Sequence, residues 1–112
     1  MDTIEYSDFE KVEIRVGTIV QAEDFPEARK PAYKLTIDFG AQLGTKQSSA
    51  QITTHYSKEQ LVGMQILAVV NLSAKQIGPF MSEVLTLGVP DGSGGVILIT
   101  PTQSAPNGER MF

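Results

Sequence analysis

The most regular alternation of apolar and polar residues begins at Tyr33 and ends at Gly40. Four apolar residues, each separated from the next by one polar residue, are Tyr33, Leu35, Ile37 and Phe39. Successive side chains of a strand point to opposite faces, so this spacing predicts an amphipathic strand that buries one face.

The stretch that follows, from Gly44 to Tyr56, divides on the same period of two residues. Its small, packable face carries Ser48, Ala50 and Ile52, and its other face carries the uncharged polar residues Gln47, Ser49 and Gln51. A turn around residues 40–44 predicts that this strand pairs antiparallel with the preceding one. The polar row favours contact with a polar ligand, although a solvated face is the ordinary condition of an antiparallel sheet.

An earlier alternating pattern, from Val12 to Ala22, predicts a long first strand, and Gly17 within it predicts a kink or bulge. Before it, Ser7 and Glu10 form a capping-box pattern that predicts a short helical turn. After it, Pro26 and Pro31 bracket a segment that is excluded from the sheet and is predicted to be a loop.

The second half of the chain predicts one short helix and three strands. Ser57 and Gln60 form a second capping-box pattern, and Gly63 suits the position after a helix. The apolar run 66–70 predicts a strand that is buried on both faces. Two further strands are predicted at 82–87 and 96–100, with a turn-rich segment at 88–95 and a last turn at Asn107-Gly108.

This order of elements predicts an all-β chain with a single domain over residues 1–112. Three strands, a short helix and further strands are the order of the OB-fold, a five-stranded Greek-key barrel with a helix between strands three and four. Short terminal extensions are left outside the barrel. Small SH3-like barrels and other Greek-key barrels share much of this order and remain alternatives.

Composition narrows the possible functions. The chain has 112 residues, no cysteine and a formal net charge of −4. Disulfides and thiolate metal sites are therefore impossible, and nucleic-acid binding would need local clusters of basic residues. The N-terminus lacks the pattern of a signal peptide, and no apolar run is long enough to span a membrane. We expect a cytoplasmic protein without membrane insertion.

Several stretches resemble the CsaA-type secretion chaperones. The resembling stretches are Ile14-Arg15-Val16-Gly17-Thr18-Ile19, Ala22-Glu23-Asp24-Phe25-Pro26-Glu27-Ala28-Arg29, Leu35-Thr36-Ile37-Asp38-Phe39-Gly40, Lys46 to Thr53, and Ser82-Glu83-Val84-Leu85. These chaperones belong to the wider family of tRNA-binding domains, which occur as free dimers and as appendages of methionyl- and phenylalanyl-tRNA synthetases. The resemblance extends over roughly residues 8–108, and Lys-Gln-Ser-Ser-Ala-Gln-Ile is typical of the CsaA branch.

The resemblance implies an OB-fold homodimer that binds tRNA and, as an export-related chaperone, binds unfolded or preprotein chains. Relatives usually carry basic residues at the places of Thr54-His55, Lys75-Gln76 and Met81, where this chain has one lysine. We therefore expect weak, salt-dependent tRNA binding, with chain holding as the main role. The alternative is a dedicated tRNA-binding module without chaperone activity.

Candidate contacts follow from the strand-two and strand-three face that OB-folds use for oligonucleotides. The predicted RNA-binding residues are Lys34, Lys46, Gln47, Ser49, Gln51, Lys75 and Ser82. For the lysines, the alternative is ordinary solvated surface. For Arg15, an ion pair with Glu13 or with an acid of a neighbouring strand is favoured over contact with RNA.

Two further groups of residues are assigned to polypeptide partners. Phe80 and Met81 follow Gly78-Pro79 in a loop and, if they were exposed, would stack on an unpaired base or bind an unfolded chain. Core or dimer contacts are equally consistent with their size. The predicted dimer contacts are Ile4, Tyr6, Phe9 and Phe112, which lie in the segments outside the barrel.

Enzymatic function is not expected. His55 is the only histidine, and with Asp38 and Ser48 it could form a triad only if the three converge in space. No nucleophile-elbow motif is present. A single histidine without cysteine partners is a poor metal site, so neither a metal nor a cofactor is expected.

Overall fold

The structure is a computed structural model that describes residues 1–112. Its elements in order are α1 (Tyr6–Glu10), β1 (Ile14–Asp24), β2 (Tyr33–Asp38), α2 (Gly40–Leu43), β3 (Thr45–Ala50), α3 (Lys58–Leu61), β4 (Gln65–Val69), β5 (Lys75–Ile77), β6 (Phe80–Ser82), β7 (Leu85–Thr86), β8 (Gly88–Pro90) and β9 (Val96–Leu98). None of the helices has the length and apolar character needed to cross a membrane.

Five strands form one antiparallel sheet in the order β3-β2-β1-β4-β7. The sheet curls until the segment after β6 reaches the free edge of β3. There the backbone N–H of Glu83 donates to the carbonyl of Gln47 at 2.8 Å, and the hydroxyl of Thr86 donates to Ser48 Oγ at 2.9 Å. These bonds produce a nearly closed, OB-like barrel with α3 between β3 and β4, which confirms the predicted architecture.

The barrel interior is filled by the residues whose alternation predicted strands. Leu35, Ile37 and Phe39 are each at most 1% exposed, and Leu61 of α3 and Ile66 of β4 are fully buried against the same core. All four of the residues from Ile66 to Val69 are buried, as expected for a strand that is covered on both faces. The core is therefore built from the predicted faces.

Local details differ from prediction in the helix before β1 and within β1 itself. The N-terminal helix is capped by Glu5 and Asp8, whose side chains and backbone N–H groups pair reciprocally, and not by Ser7 and Glu10. Glu is not among the preferred N-cap residues, so the sequence pattern pointed to Ser7 instead. The bulge in β1 lies between Ile19 and Gln21, three residues beyond Gly17.

Gly17 serves close packing. A Cβ atom at this position would lie 2.5 Å from Ile37 Cγ2 and 2.7 Å from the Phe39 ring. Glycine therefore lets β1 approach the side chains of the neighbouring strand closely enough for the barrel to curl.

The chain after β4 also departs from prediction. Residues 75–82 form an extra hairpin, β5 paired with β6, where no strand was predicted before residue 82 and Gly78 to Met81 were placed in a loop. Part of the predicted turn at 88–95 is strand, because Gly88–Pro90 pairs with Val96–Leu98. Short strands of two or three residues carry too few alternating positions to be recognised by period.

We predict that Gly17→Ala lowers the free energy of unfolding by about 1–3 kcal/mol, because the added methyl group must displace Ile37 or the Phe39 ring. Urea unfolding measures the change. Val20→Ala, at a position on the same strand that is 48% exposed, is the control and should change the value by less than about 1 kcal/mol. Equal stability of Gly17→Ala and the unsubstituted protein would contradict the packing role.

Candidate nucleic-acid interface

The outer face of β2 and β3 is polar, as the alternation predicted. Lys34 lies opposite Ser49 and Thr36 lies opposite Gln47 in the antiparallel register, while Leu35 points into the core. The pleat of the sheet thus presents one continuous row of hydrogen-bonding side chains on the outside of the barrel.

Two loops rise beside this face and turn it into a groove. One is the loop between β1 and β2, and the other is the β5–β6 hairpin. The resulting groove of about 560 Å³ is lined by Glu27, Ala28, Arg29, Lys30, Ala32, Ser49, Gln51, Lys75, Gln76, Ile77 and Gly78. We call it the basic groove. These two loops flank the binding face in OB-folds generally.

The electrostatics of the basic groove are opposite to those of the whole chain. Arg29, Lys30 and Lys75 line it against one carboxylate, that of Glu27. The ion pairs within the chain use other cations, so these three remain free to attract an anion. A chain with a net charge of −4 therefore carries a local positive site.

The two loops are held together by a small apolar cluster. Phe25, Ala32 and Phe80 are buried against one another, and the rings of Phe25 and Phe80 meet edge to face with centroids 5.3 Å apart. The assignment of Phe80 to polypeptide binding required an exposed side chain and is therefore wrong. The ring is buried and fixes the hairpin to the loop. Its neighbour Met81 is 43% exposed, as that role requires.

Of the predicted RNA-binding residues, Ser49, Gln51 and Lys75 lie together in the basic groove. Lys34 is on the same outer face, with Nζ 4.0 Å from Glu23 Oε2 and 5.7 Å from the centroid of the Phe25 ring. It lines a smaller cavity together with Gln47.

The structure does not bring Lys46 and Ser82 into the basic groove. Lys46 lies opposite Ile37 and is in phase with the buried Ser48 and Ala50, so it belongs to the inward side at the end of the strand. Ser82 helps to close the barrel, since its Oγ accepts a hydrogen bond from the Ser49 backbone N–H at 3.0 Å.

Sequence reasoning missed Arg29, Lys30 and Gln76. The adjacent pair Arg29-Lys30 between two prolines was a usable signal, because a basic pair in a constrained loop beside an OB-fold face is well placed for phosphate. For Gln76 the signal was the resemblance alone, in which relatives carry basic residues at the place of Lys75-Gln76, since the hairpin that presents it was not predicted.

A second, more apolar groove of about 390 Å³ adjoins the first. Its lining is Ser49, Ala50, Gln51, Ile52, Lys75, Ile77, Ser82, Val84, Leu85, Thr86, Gly88, Val96 and Leu98. We call it the apolar groove. Ser49, Gln51, Lys75 and Ile77 line both grooves, so the two are continuous.

Each of the three residues of the possible triad forms a hydrogen bond with a group outside the triad. Ser48 is buried and bonded to Thr86, and Asp38 accepts the Gly40 backbone N–H at 2.8 Å. Nε2 of His55 instead lies 2.6 Å from Oδ2 of Asp91, in the turn between β8 and β9. No group of three or more His, Cys, Asp or Glu residues is arranged to hold a metal ion.

Asp91 is a local anchor for that turn. The backbone N–H of Ser93, the His55 ring and the backbone N–H of Gly95 together hold the pKa of Asp91 below its usual value. Because the pKa is lowered in the folded state, the stabilisation is present at pH values above the unfolded pKa. It is lost as the pH falls through the folded one.

Arg15 forms an ion pair with Glu13, the residue before β1, which is one of the two kinds of acidic partner that the sequence favoured over RNA. Its Nη2 lies 2.5 Å from Oε1 of Glu13, and Nη1 donates to the carbonyl of Gly108 at 2.9 Å. The hydrogen bond and the charge of Arg15 lower the pKa of Glu13. Arg15 is thereby committed to joining β1 to the C-terminal segment.

A nearly closed OB-like barrel with a basic groove beside β2 and β3 defines a binding protein of the OB-fold class. Comparison with family models gives a match to the putative tRNA binding domain over residues 14–110. The chain therefore belongs to this family of putative tRNA-binding domains.

Solved structures share the whole fold. The chaperone CsaA from Bacillus anthracis strain Ames is 48% identical with a TM-score of 0.93, and 99% of this chain and 100% of that one are covered. The CsaA chaperone protein from Picrophilus torridus is 51% identical with a TM-score of 0.90, and 98% and 100% are covered. The MetRS related protein from Pyrococcus horikoshii is 27% identical with a TM-score of 0.87, and both chains are fully covered.

Among curated proteins, the methionine–tRNA ligase of Chlorobium chlorochromatii is 35% identical over 108 residues, which are 96% of this chain. That of Methanocaldococcus jannaschii is 32% identical over 99% of this chain. The chain spans only 15% and 17% of the length of these two enzymes. The similarity therefore concerns a tRNA-binding module and not the catalytic parts of the ligases.

Proposed function

We propose that the protein is a non-catalytic, cytoplasmic tRNA-binding protein whose basic groove holds the phosphate backbone of the RNA. The observation that carries this proposal is the position of three cations, Arg29, Lys30 and Lys75, around the polar outer face of β3. None of them is neutralised by an ion pair within the chain. The family match supports tRNA as the nucleic acid.

The two kinds of groove residue contribute differently to binding. Each cation that displaces a counterion from a phosphate adds a salt-dependent increment of affinity, whereas Ser49 and Gln51 supply neutral hydrogen bonds to phosphate or sugar oxygens. With few cations and an acidic total charge, the complex is weak at moderate salt. Neutral contacts then fix the position of the RNA on the sheet.

We predict that Lys75→Ala lowers tRNA affinity about fivefold and reduces the slope of log K against log salt by about 0.7 to 0.9, because one phosphate contact is lost. Gln51→Ala should weaken binding without changing the slope. Fluorescence anisotropy with labelled tRNA at several salt concentrations measures both quantities.

Lys11→Ala is the matched control, since it removes the same charge from an exposed residue directly after α1 that is paired with Asp8 and does not line the groove. It should leave affinity and slope nearly unchanged. An effect of Lys11→Ala equal to that of Lys75→Ala would show that only total charge matters.

A second candidate function is that of an export-related chaperone that holds unfolded or preprotein chains. It is favoured by the whole-chain similarity to two proteins described as CsaA chaperones, at 48% and 51% identity. Met81 offers an exposed, adaptable apolar side chain beside the groove walls. The acidic total charge also suits this function better than exclusive RNA binding.

We predict that the protein suppresses aggregation of a chemically denatured client and that Met81→Ser reduces this protection, because an apolar contact is lost. Light scattering of the client measures the effect. Val62→Ser, at a residue 51% exposed beyond α3, is the control and should protect normally. Absence of protection by the unsubstituted protein would leave the dedicated tRNA-binding module as the function.

The homodimer expected from the resemblance is proposed to use the N-terminal helix and the C-terminus. Ile4 is 70% exposed, Tyr6 is 66% exposed and Phe112 is fully exposed, while Phe9 is half-buried against Tyr6 with ring centroids 6.0 Å apart. Large apolar side chains left exposed in this way are candidates for an interface.

We predict a dimer mass by multi-angle light scattering and a shift toward monomer for Tyr6→Ser combined with Phe112→Ser. Ile97→Ser, at an equally apolar but separate position that is 45% exposed, is the control. A monomeric mass for the unsubstituted protein would contradict the proposed dimer.

A further inference from the structure

The apolar groove and the basic groove meet along one line of residues. Ser49, Gln51, Lys75 and Ile77 belong to both, so a ligand that enters one groove can continue into the other. The shared line combines one cation, two neutral polar side chains and one aliphatic side chain. Such a junction suits a ligand that is charged at one end and apolar at the other.

We propose that the apolar groove accepts one unpaired base of a bound RNA while the basic groove holds the flanking phosphates. This inference rests on the proposed tRNA-binding function and specifies its ligand as a single-stranded segment. A paired base is enclosed in its helix and cannot enter, so a perfect duplex is excluded from this mode of binding.

The walls of the apolar groove fit the faces of a base. Val84 and Leu98 are buried and form its inner side, and Leu85 is 50% exposed at its mouth. Contact with apolar side chains is one of the ways in which proteins hold a nucleotide base that has left its stack. The volume of about 390 Å³ leaves room for one base.

The polar groups of the groove are positioned for the edge of the base. Ser82 Oγ and Thr86 Oγ1 are already bonded to β3, so they maintain the closed barrel. Gln51 is exposed and takes no part in those closing bonds. An amide both donates and accepts, so Gln51 can bond the edge of different bases without selecting strictly among them.

Charge decides between a nucleotide and an apolar polypeptide as the occupant. Three cations adjoin the apolar groove through Lys75, and Glu27 is the one carboxylate among the residues lining the basic groove. An apolar peptide segment carries no negative charge that could pair with these cations. A nucleotide places its phosphate within one sugar of its base and satisfies both grooves at once.

The test uses the full-length protein and a labelled single-stranded RNA of about eight nucleotides, a length that OB-folds accommodate. We expect it to bind, and an abasic nucleotide at one central position to weaken binding about tenfold. We expect a blunt RNA duplex of the same sequence to bind at least tenfold more weakly than the single strand. Leu85→Ser should weaken binding of the intact strand about fivefold, reduce the abasic penalty and leave the salt slope unchanged.

Ile97→Ser is the matched control, because Ile97 is 45% exposed on β9 but is not among the residues that line the apolar groove. It should leave the affinities for the intact strand, the abasic strand and the duplex unchanged. Two results would overturn the base-binding inference, and in both of them tRNA still binds with the salt slope of the basic groove. In the first, the abasic and intact strands bind equally, and in the second, the duplex binds as well as the single strand. In either result the tRNA-binding function stands. If neither tRNA nor the single strand binds at any salt concentration, both proposals fail together.

Discussion

The structure depends on how the free edge of β3 is closed. No regular strand pairs with this edge, and the hydrogen bonds come instead from Ser82 at the end of β6, from Glu83 after it and from Thr86 in β7. Closure by so short a segment draws the β5–β6 hairpin against the outer face of β3. The same hydrogen bonds that complete the barrel therefore build one wall of the basic groove, and the Phe25–Phe80 contact fixes the opposite wall to it.

Function follows from a difference between total and local charge. Thirteen acidic and nine basic residues give a formal charge of −4, which opposes non-specific attraction to RNA over most of the surface. The exception is the groove, where three cations face one carboxylate. A protein of this kind binds RNA where its shape and hydrogen bonds fit, and only weakly elsewhere. In the proposed RNA complex, neutral side chains such as Gln51 contribute a larger share of the affinity than in a basic RNA-binding protein.

The sequence predicted the buried and exposed faces correctly wherever a strand was long enough to show its period of two residues. Tyr33 to Phe39 and Ser48 to Ile52 lie on the predicted faces, and the Ser57–Gln60 cap forms as expected.

Prediction from the sequence failed where the structure depends on contacts between distant residues. The burial of Phe80 against Phe25 and the hairpin that carries Lys75 are tertiary features without a local signal. Lys46 was grouped with the polar face although it alternates with the buried set. The loop cations Arg29 and Lys30 were overlooked, although their position as an adjacent basic pair between two prolines was a usable signal.

The central claim is that RNA binds in the groove between the β1–β2 loop, the outer face of β3 and the β5–β6 hairpin. The most direct measurement is an amide chemical-shift titration of the isotopically labelled protein with unlabelled tRNA. The account predicts that the largest early changes occur at Arg29, Ser49, Gln51, Lys75 and Gln76, and that Lys46 and the N-terminal helix change little. Changes that concentrate on the N-terminal helix or on the β8–β9 hairpin, with the groove residues unmoved, would contradict it.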